Sequence, residues 1–368
     1  MERRPIRALV VDDSATMRKT LSAILSRDPG IEVVATAVDG LAALRKLARF
    51  RPDVVTLDLE MPGMDGMDVL REMVALGEAP VLVVSAYTPR GADLTLTALS
   101  LGAVDAVVKP GSGSNGGVEA LASELLAKVH AVAGRRWRRP PGVRITDTAA
   151  VKPLRRILHP GAARTVVAVG VSTGGPAALN FLIPRLPAEL PAAMVVVQHM
   201  PVGFTEMLAQ RLDQASAVSV REARDGEPLR NGTVLIAPAG RHIRVRHLEP
   251  EPIVLLSGGP AVSGHCPSVD VLFHSVAAEF GRRSVGVLLT GMGEDGASGL
   301  LAIRRMAGRT LAQDEESSVV FGMPRAAILR GAVDQVLPLE RMPEAITAAA
   351  ARPLEVAAMS AAGAREAL

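Results

Sequence analysis

Five polar residues in the first third of the sequence stand directly behind short aliphatic runs. Asp12 and Asp13 follow the first run, Asp58 the third, Ser85 ends the fourth and Lys109 follows the fifth. If the runs are parallel strands of one sheet, their carboxyl ends meet at one edge and these side chains converge. Three converging carboxylates repel one another unless a hard cation such as Mg²⁺ binds between them. The set predicts a pocket in which one aspartate becomes an acyl phosphate. Capping of the following helices is the alternative for Asp12 alone, but it does not account for all five positions.

A second group of polar residues has the types and order of a nucleophilic site. Residues 170–174 read G-x-S-x-G and are followed by Pro176, so Ser172 is predicted at a sharp turn that opens a helix. Helix-terminal amides at such a turn can bind an oxyanion. His199 follows the next aliphatic run and Asp295 a later one, which predicts a nucleophile, a base and its orienting carboxylate. The order Ser, His, Asp is not that of the elbow hydrolases. The Ser172 string alone would fit a helix cap equally well.

The elements that must position these residues are two series of alternating strands and helices. The predicted strands of the first series are Ile6–Val11, Ile31–Ala37, Val54–Leu57, Val81–Val84 and Val104–Val108. Those of the second are Thr165–Val171, Ala193–Val197, Val234–Ala237, Ser284–Leu289 and Thr310–Ala312. Helical patterns include Thr16–Ser26, Leu41–Ala48, Pro176–Leu186 and Val269–Phe280. Such alternation predicts an α/β protein with two doubly wound parallel-sheet domains.

The domain bounds follow from composition. We predict a first domain over residues 1–133, a basic linker over 134–164, a second domain over 165–350 and an Ala-rich tail over 351–368. In the linker nine Arg and Lys residues stand against one acid, Asp147. A solvated connector and a docking segment for an acidic partner both fit that charge.

Bulk composition excludes several classes of protein. The one cysteine, Cys266, allows no intramolecular disulfide and no thiolate zinc cluster, and we expect it to be a small core residue. One Trp, one Tyr and six Phe give no stacking platform for single-stranded nucleic acid. No apolar run approaches the roughly 18 residues of a membrane span, and the N-terminal run is too short for a signal peptide. We expect a soluble cytoplasmic protein that binds no nucleic acid and does not insert into the membrane.

Three strings resemble the receiver domain of two-component response regulators: Val11–Ser14, Leu57–Gly66 and Lys109–Pro110. The resemblance covers residues 6 to about 130, gives the first domain a flavodoxin-like fold and implies a histidine kinase as phosphodonor. It implies that Asp58 is the phosphoacceptor and that Ser85 and Lys109 contact the phosphoryl oxygens. The implied Mg²⁺ ligands are Asp12, Asp13, Asp58 and the carbonyl of Glu60. Many receivers carry an aromatic residue where this chain has Ala106, so we expect no switch based on an aromatic rotamer.

Four strings in the second half resemble the protein-glutamate methylesterases of bacterial chemotaxis, the CheB type: Gly170–Pro176, Gln198–Pro201, Pro267–Phe273 and Thr290–Gly296. This resemblance, over residues 165 to about 340, gives the second domain a Rossmann-like fold. It implies the triad Ser172, His199 and Asp295, with Thr173 nearby and the Met292 amide in the oxyanion hole. The implied substrates are glutamate methyl esters, and glutamines to be deamidated, on the signalling helices of chemoreceptors, with no cofactor for the esterase step.

Together the two resemblances predict a phosphorylation-activated serine esterase whose receiver restrains it by covering the cleft. Glu294 stands where the family commonly has Asn, and its charge is expected to raise the pKa of either acid of the pair it forms with Asp295. His265 is open to either an accessory or a structural role.

Two other functions compete with the esterase. Residues 291–296 read G-x-G-x-x-G, which would fit a nucleotide-binding turn, but Glu294 and Asp295 would face the pyrophosphate there. A receiver with a different output, such as a transcription regulator, would need a basic helix-turn-helix. The second half alternates strands and helices instead.

Overall fold

The computed structural model describes residues 4–61, 65–86, 88–110, 117–133 and 161–351. Most of the predicted linker, with its Arg cluster, and the tail beyond residue 351 lie outside these residues. The predicted domain bounds therefore stay predictions.

The first domain is one parallel sheet between two layers of helices. Its strands are β1 (Ile6–Val11), β2 (Ile31–Ala37), β3 (Val54–Leu57), β4 (Val81–Ser85) and β5 (Asp105–Val108). Its helices are α1 (Ala15–Leu25), α2 (Gly40–Phe50), α3 (Gly66–Leu76), α4 (Pro89–Leu101) and α5 (Gly117–Val132). The strand order β2-β1-β3-β4-β5 puts the ends of β1, β3, β4 and β5 side by side. The predicted doubly wound sheet is confirmed.

Side-chain caps begin the first four helices. Ser14, Asp39, Asp65 and Thr88 each accept a hydrogen bond from a backbone N–H of the first helical turn. Such residues replace hydrogen bonds that the first helical amides lack. The caps fix short strand-to-helix turns at the carboxyl edge of the sheet, where the predicted acidic residues stand.

The second domain is built on a seven-stranded parallel sheet, ordered β14-β13-β12-β6-β7-β9-β8, with a separate antiparallel pair β10-β11. Its strands are β6 (Val166–Val171), β7 (Ala193–Gln198), β8 (Ser219–Glu222), β9 (Thr233–Ile236), β10 (His242–Arg246), β11 (Ile253–Ser257), β12 (Ser284–Leu288), β13 (Arg309–Gln313) and β14 (Gln335–Leu337). Its helices are α6 (Gly175–Leu182), α7 (Phe204–Ala215), α8 (Val269–Phe280), α9 (Ala297–Arg305), α10 (Met323–Leu329) and α11 (Met342–Ala351). Strands β7 to β9 lie on one side of β6 and strands β12 to β14 on the other, so the order in which strands are added reverses at β6. Open α/β sheets bind ligands in the crevice at such a switch point.

The ten predicted strands match observed strands to within one residue at either end. Four strands were missed: the two sheet edges β8 and β14, and the pair β10-β11. The predicted helix Pro176–Leu186 is shorter than expected, because α6 ends at Leu182 and a 3₁₀ turn, Ile183–Arg185, follows. Pro184 has no N–H to continue the helical bonding. Ala162 pairs with Arg230 although it lies within the predicted linker.

The two domains contact each other through α4. This helix packs on α6 and α7, and its apolar residues Ala92, Leu96 and Leu99 belong to the same apolar cluster as Phe181 and Met207 of the second domain. Arg211 of α7 adds a polar contact to Asp93 of α4. Among the residues described, no helix is both long enough and apolar enough to span a membrane.

Candidate functional site

The three predicted acidic residues meet at the carboxyl ends of β1 and β3. Asp12 and Asp58 are buried, whereas Asp13 is exposed to solvent. One carboxylate oxygen from each lies within 4.8 Å of the others. All of these donors are hard oxygens, and Mg²⁺ is commonly bound through one or two such carboxylates. The donor set therefore fits the Mg²⁺ that the sequence predicts.

Lys109 supplies the positive charge of this pocket. Its Nζ lies 2.5 Å from Oδ2 of Asp58 and 3.0 Å from Oδ2 of Asp12. Burial alone would lower the pKa of Lys109, but Asp58 and Asp12 raise it overall, so the ammonium stays charged. Burial raises the pKa of Asp12 even though Lys109 opposes that change. One ammonium beside three carboxylates leaves the pocket with an excess of negative charge that a bound cation would offset.

Ser85 and Glu60 stand at the rim of the same pocket. The Glu60 N–H donates a hydrogen bond of 3.1 Å to Oδ1 of Asp58, while its role as a carbonyl ligand stays a prediction. The Ser85 hydroxyl donates to the Gly91 carbonyl in the first turn of α4, at 3.1 Å. Thr95 donates to the same carbonyl at 2.7 Å. In this state Ser85 is therefore bonded to α4 and not to Asp58.

Ser172 lies on the predicted turn between β6 and α6. Its N–H donates to the Thr290 carbonyl at 3.0 Å, and its own carbonyl accepts from the Gly175 N–H at 2.8 Å and from Nε2 of Gln198 at 3.0 Å. A Cβ added at Gly291 would lie 2.8 Å from the Ser172 Cβ, so only glycine fits beside the turn. The backbone that carries the hydroxyl is held from both flanking strands.

His199 and Asp295 form a buried hydrogen-bonded pair at the ends of β7 and β12. His199 Nε2 lies 3.0 Å from Oδ2 of Asp295. The carboxylate also accepts from the hydroxyl of Ser268 at 2.8 Å and from the N–H groups of Val269 and Asp270 at 2.7 and 3.0 Å. Burial would raise the pKa of Asp295, but the hydrogen bonds from His199 and the two amides lower it overall. Asp295 is therefore an ionised acceptor that orients the imidazole.

The other imidazole nitrogen is free to act as a base. Because a carboxylate only accepts hydrogen bonds, the proton of a neutral His199 resides on Nε2. His199 Nδ1 is buried and has no hydrogen-bond partner among the residues described. His199 and Ser172 line the same cavity.

This cavity, of about 510 Å³, lies between the two domains. The second domain contributes four of its five predicted site residues, all except Asp295, which lies behind His199, and the first domain contributes α4, β5 and α5. The lining includes Ser172, Thr173, His199, His265, Met292, Leu99, Ala106, Glu124 and Lys128. Thr173 and Met292 donate no backbone hydrogen bond to any other part of the chain that the structure describes. The first domain therefore covers the site where the second domain's polar residues converge.

Two sequence expectations change with the structure: the raised pKa expected from Glu294, and the core position expected for Cys266, which is only partly buried. Glu294 forms an exposed ion pair with Arg330 at 2.7 Å, and the pKa of Asp295 is lowered, not raised. The G-x-G-x-x-G string contributes Met292 and Asp295 to the serine site.

The sequence did not predict three residues that support the site. Gln198 and Thr290 bond to the backbone of Ser172, and Ser268 donates to the Asp295 carboxylate. The one local signal was Ser268, which stands at the start of a helix and caps it.

Comparison with known proteins agrees with the assignment of both domains. Residues 8–116 match the response regulator receiver domain, and residues 167–346 match the CheB methylesterase family. A protein named protein-glutamate methylesterase/protein-glutamine glutaminase 2 from Koribacter versatilis (strain Ellin345) is 49% identical over 348 residues, which cover 93% of this chain and 96% of that protein. A protein-glutamate methylesterase/protein-glutamine glutaminase from Symbiobacterium thermophilum is 49% identical over 355 residues, 94% of this chain and 97% of that protein.

Among solved structures, the catalytic domain of the Thermotoga maritima CheB methylesterase is 40% identical, with a TM-score of 0.49, and covers 50% of this chain and 97% of that one. The extent and identity of the sequence matches, which include both domains in one chain, establish the family. This chain belongs to the receiver-linked CheB methylesterases.

Proposed function

We propose that this protein is a phosphorylation-controlled hydrolase of chemotactic adaptation. Its substrates are glutamate methyl esters on chemoreceptors, and it also converts glutamine side chains to glutamate. The observation that carries the proposal is that Ser172 and His199 line one cavity, which the receiver covers, and that His199 is hydrogen-bonded to the buried Asp295. The names of the relatives support the ester and amide chemistry.

The proposed reaction is nucleophilic catalysis through an acyl-enzyme. His199 Nδ1 takes the proton of the Ser172 hydroxyl while the Ser172 oxygen attacks the ester carbonyl carbon. The N–H groups of Thr173 and Met292, which have no other acceptor within the described chain, donate to the oxyanion. The C–O bond to the methoxy group then breaks, and His199 returns the proton to release methanol. Water then gives a proton to His199 and attacks the glutamyl ester of Ser172; the C–O bond to Ser172 breaks, and His199 returns the proton to the Ser172 oxygen. With a glutamine substrate the first leaving group is ammonia instead of methanol.

The proposed receiver chemistry uses the acidic pocket. Asp58 accepts a phosphoryl group from a histidine kinase of the chemotaxis type. Asp12, Asp13, Asp58 and the Glu60 carbonyl would hold Mg²⁺, which when bound offsets negative charge on the transferring group. The ammonium of Lys109 already touches the Asp58 carboxylate, which supports its role as a phosphoryl contact. Ser85 reaches the phosphoryl group only after its hydroxyl leaves the Gly91 carbonyl.

Control of the esterase follows from the covered cleft. In the unphosphorylated form, α4, β5 and α5 close the cavity against a receptor helix. Phosphorylation adds about −1.5 to −2 charges at Asp58 and draws Ser85 and Lys109 inward, which weakens the contact between the domains. We place the enzyme in the cytoplasm, where the signalling helices of chemoreceptors and their kinase are found.

Release of methanol from methyl-labelled receptor membranes tests the proposal, with and without a small phosphodonor. We expect release from the full-length protein, stimulation by the phosphodonor, and no release from Ser172→Ala. Ser298→Ala, an exposed serine on α9, is the matched control and should behave as wild type. Wild-type rates in Ser172→Ala would refute the proposed nucleophile.

A further inference from the structure

The imidazole of His265 lies flat on the imidazole of His199. The two ring centroids are 3.7 Å apart and the planes differ by 6°. We propose that His265 is a positioning residue: its ring holds the His199 imidazole in the plane that keeps Nε2 on Asp295 and directs Nδ1 towards Ser172. The inference rests on the proposed roles of Ser172, His199 and Asp295.

His199 needs such a restraint because its ring is fixed at one atom only. Nε2 bonds to Asp295, while Nδ1 has no hydrogen-bond partner in the described part of the protein. The torsion that turns an imidazole is broad and roughly two-fold, so one hydrogen bond does not fix the ring plane. A flat ring at stacking distance fixes the plane of the His199 imidazole, because any tilt would move ring atoms of His199 into those of His265. A displacement of about 1 Å at a reacting group can cost about 100-fold in rate.

His265 is itself held in place by a tight turn. The N–H of Val262 donates to the His265 carbonyl and the N–H of His265 donates to the Val262 carbonyl, both at 3.0 Å. The two residues between them, Ser263 and Gly264, have φ values of 52° and 80°. Two positive φ values in a two-residue turn are typical of type I′, the tightest hairpin connection. The Cys266 carbonyl then accepts from the Gly240 N–H at 3.0 Å, which ties the following residue to the loop after β9.

The same loop also positions Ser268, which donates a hydrogen bond to Asp295. His242, buried on β10, contacts the Pro260 carbonyl through Nε2 at 3.0 Å and accepts the Ser268 N–H at Nδ1, at 3.2 Å. It therefore joins the beginning and the end of the loop that carries His265. Ser268 in turn donates to Asp295. One loop thus fixes both the ring that stacks on the base and the carboxylate that orients it.

The stack also suits the charge that the base acquires. Burial and the neighbouring His199 lower the pKa of His265 to about 4, although Asp295 opposes this. His265 is therefore neutral above that pH, and the imidazolium formed during turnover meets the face of a neutral ring, which attracts a cation. The other titratable groups near it are buried Asp270 and His242 on its own side, and three receiver residues that line the cavity: Asp105, Glu124 and Lys128.

The test compares His265→Phe with His265→Leu in the full-length protein with a phosphodonor present. Both side chains fill the space, but only Phe offers a flat face. We expect His265→Leu to lower kcat for methanol release about 10- to 100-fold with little change in KM. We expect His265→Phe to retain most of kcat and the wild-type acid limb of the pH–rate profile, because His265 does not ionise in that range. His247→Ala, whose ring stands edge-on to Phe280, is the control and should leave kcat unchanged.

Wild-type kcat in His265→Leu would overturn the proposal, and so would a His265→Phe enzyme as slow as His265→Leu with an unchanged melting temperature. The second result would assign the role to a ring nitrogen instead of the stack. His199→Ala tests the proposed base separately from the role of His265. If that variant kept its activity, the assignment of His199 as the base would be wrong. If only the His265 variants were neutral, the triad would stand and the positioning role would not.

Discussion

Arg211 makes a polar contact between the two domains. Its Nη2 donates to the Asp93 carbonyl at 2.9 Å, to Oδ1 of Asp93 at 2.6 Å and to the Thr97 hydroxyl at 2.7 Å. All three acceptors lie on α4, the receiver helix that packs on α6 and α7. If the receiver restrains the esterase by covering it, Arg211→Ala removes part of that restraint. We expect higher methanol release from the unphosphorylated protein.

The size of the effect follows from exposure. The side chains of Arg211 and Asp93 are 30% and 59% exposed, so solvent screens much of their attraction. Such pairs contribute about 0.2–1 kcal/mol. A loss of about 1 kcal/mol changes a two-state ratio about fivefold. The basal rate should therefore rise between about 1.4-fold and about fivefold. Full opening from 1:99 to 99:1 would need about 5.5 kcal/mol, so the variant should stay well below the phosphorylated enzyme.

The assay is the initial rate of methanol release without a phosphodonor. Arg304→Ala is the matched control, because Arg304 forms an ion pair of similar exposure with Asp334, away from the receiver. It should leave the basal rate unchanged. Asp93→Ala should raise the rate less than Arg211→Ala, since the Asp93 carbonyl remains an acceptor. The double variant should add little to Arg211→Ala, because the two residues share one interaction.

Two results would contradict, respectively, the role of Arg211 and the covering of the cleft by the receiver. A basal rate in Arg211→Ala equal to wild type, beside a faster fragment that lacks residues 1–160, would show that the covering face is held by its apolar contacts alone. Equal basal rates for that fragment and the full-length protein, with activation by phosphodonor intact, would remove the covering mechanism. The receiver would then act by helping the enzyme engage its substrate.

Three further predictions follow from the two sites. Asp295→Asn should lower kcat about 10⁴-fold, because an amide no longer fixes the tautomer of His199; a melting curve verifies that the fold is intact. Asp13→Ala, or EDTA added to the wild type, should prevent phosphorylation of Asp58 by acetyl phosphate, measured by phosphate incorporation, whereas EDTA should leave basal esterase activity unchanged. Deleting residues 1–160 should raise basal methanol release, and Asp58→Ala should show the wild-type basal rate with no response to phosphodonor.

The sequence was sufficient for the parallel sheets because their central strands β3, β4, β6, β7 and β12 are buried on both faces and most of the strands read as aliphatic runs. β8 and β14 escaped prediction because both are short edge strands: three of the four residues of β8 are polar, and the first two residues of β14 are exposed. The pair β10-β11 alternates between buried and exposed positions and has no counterpart in a βαβ repeat.

Within the sites, strand order alone brought the predicted residues together. Contacts between residues distant in the chain could not be predicted. Arg330, 36 residues beyond Glu294, forms an ion pair with the Glu294 carboxylate that the sequence predicted would act on Asp295. The stacking of His265 on His199 likewise depends on the path of a loop that no local pattern encodes. The Gln198 amide that supports Ser172 is adjacent to His199, but its role exists only when β6 and β7 pair.

The shared acceptor at the start of α4 bears on how much stability the receiver loses when it is switched. Two hydroxyls, from Ser85 and Thr95, donate to the single carbonyl of Gly91. When Ser85 turns to a phosphoryl group, Thr95 still satisfies that carbonyl, so no buried acceptor is left without a partner. The transition therefore gives up one neutral hydrogen bond, about 1 kcal/mol, and avoids the larger penalty of about 1–3 kcal/mol for an orphaned polar group. We therefore expect the Ser85 hydroxyl to exchange its two acceptors at little cost in stability, so that the switch stays reversible when the phosphate is lost.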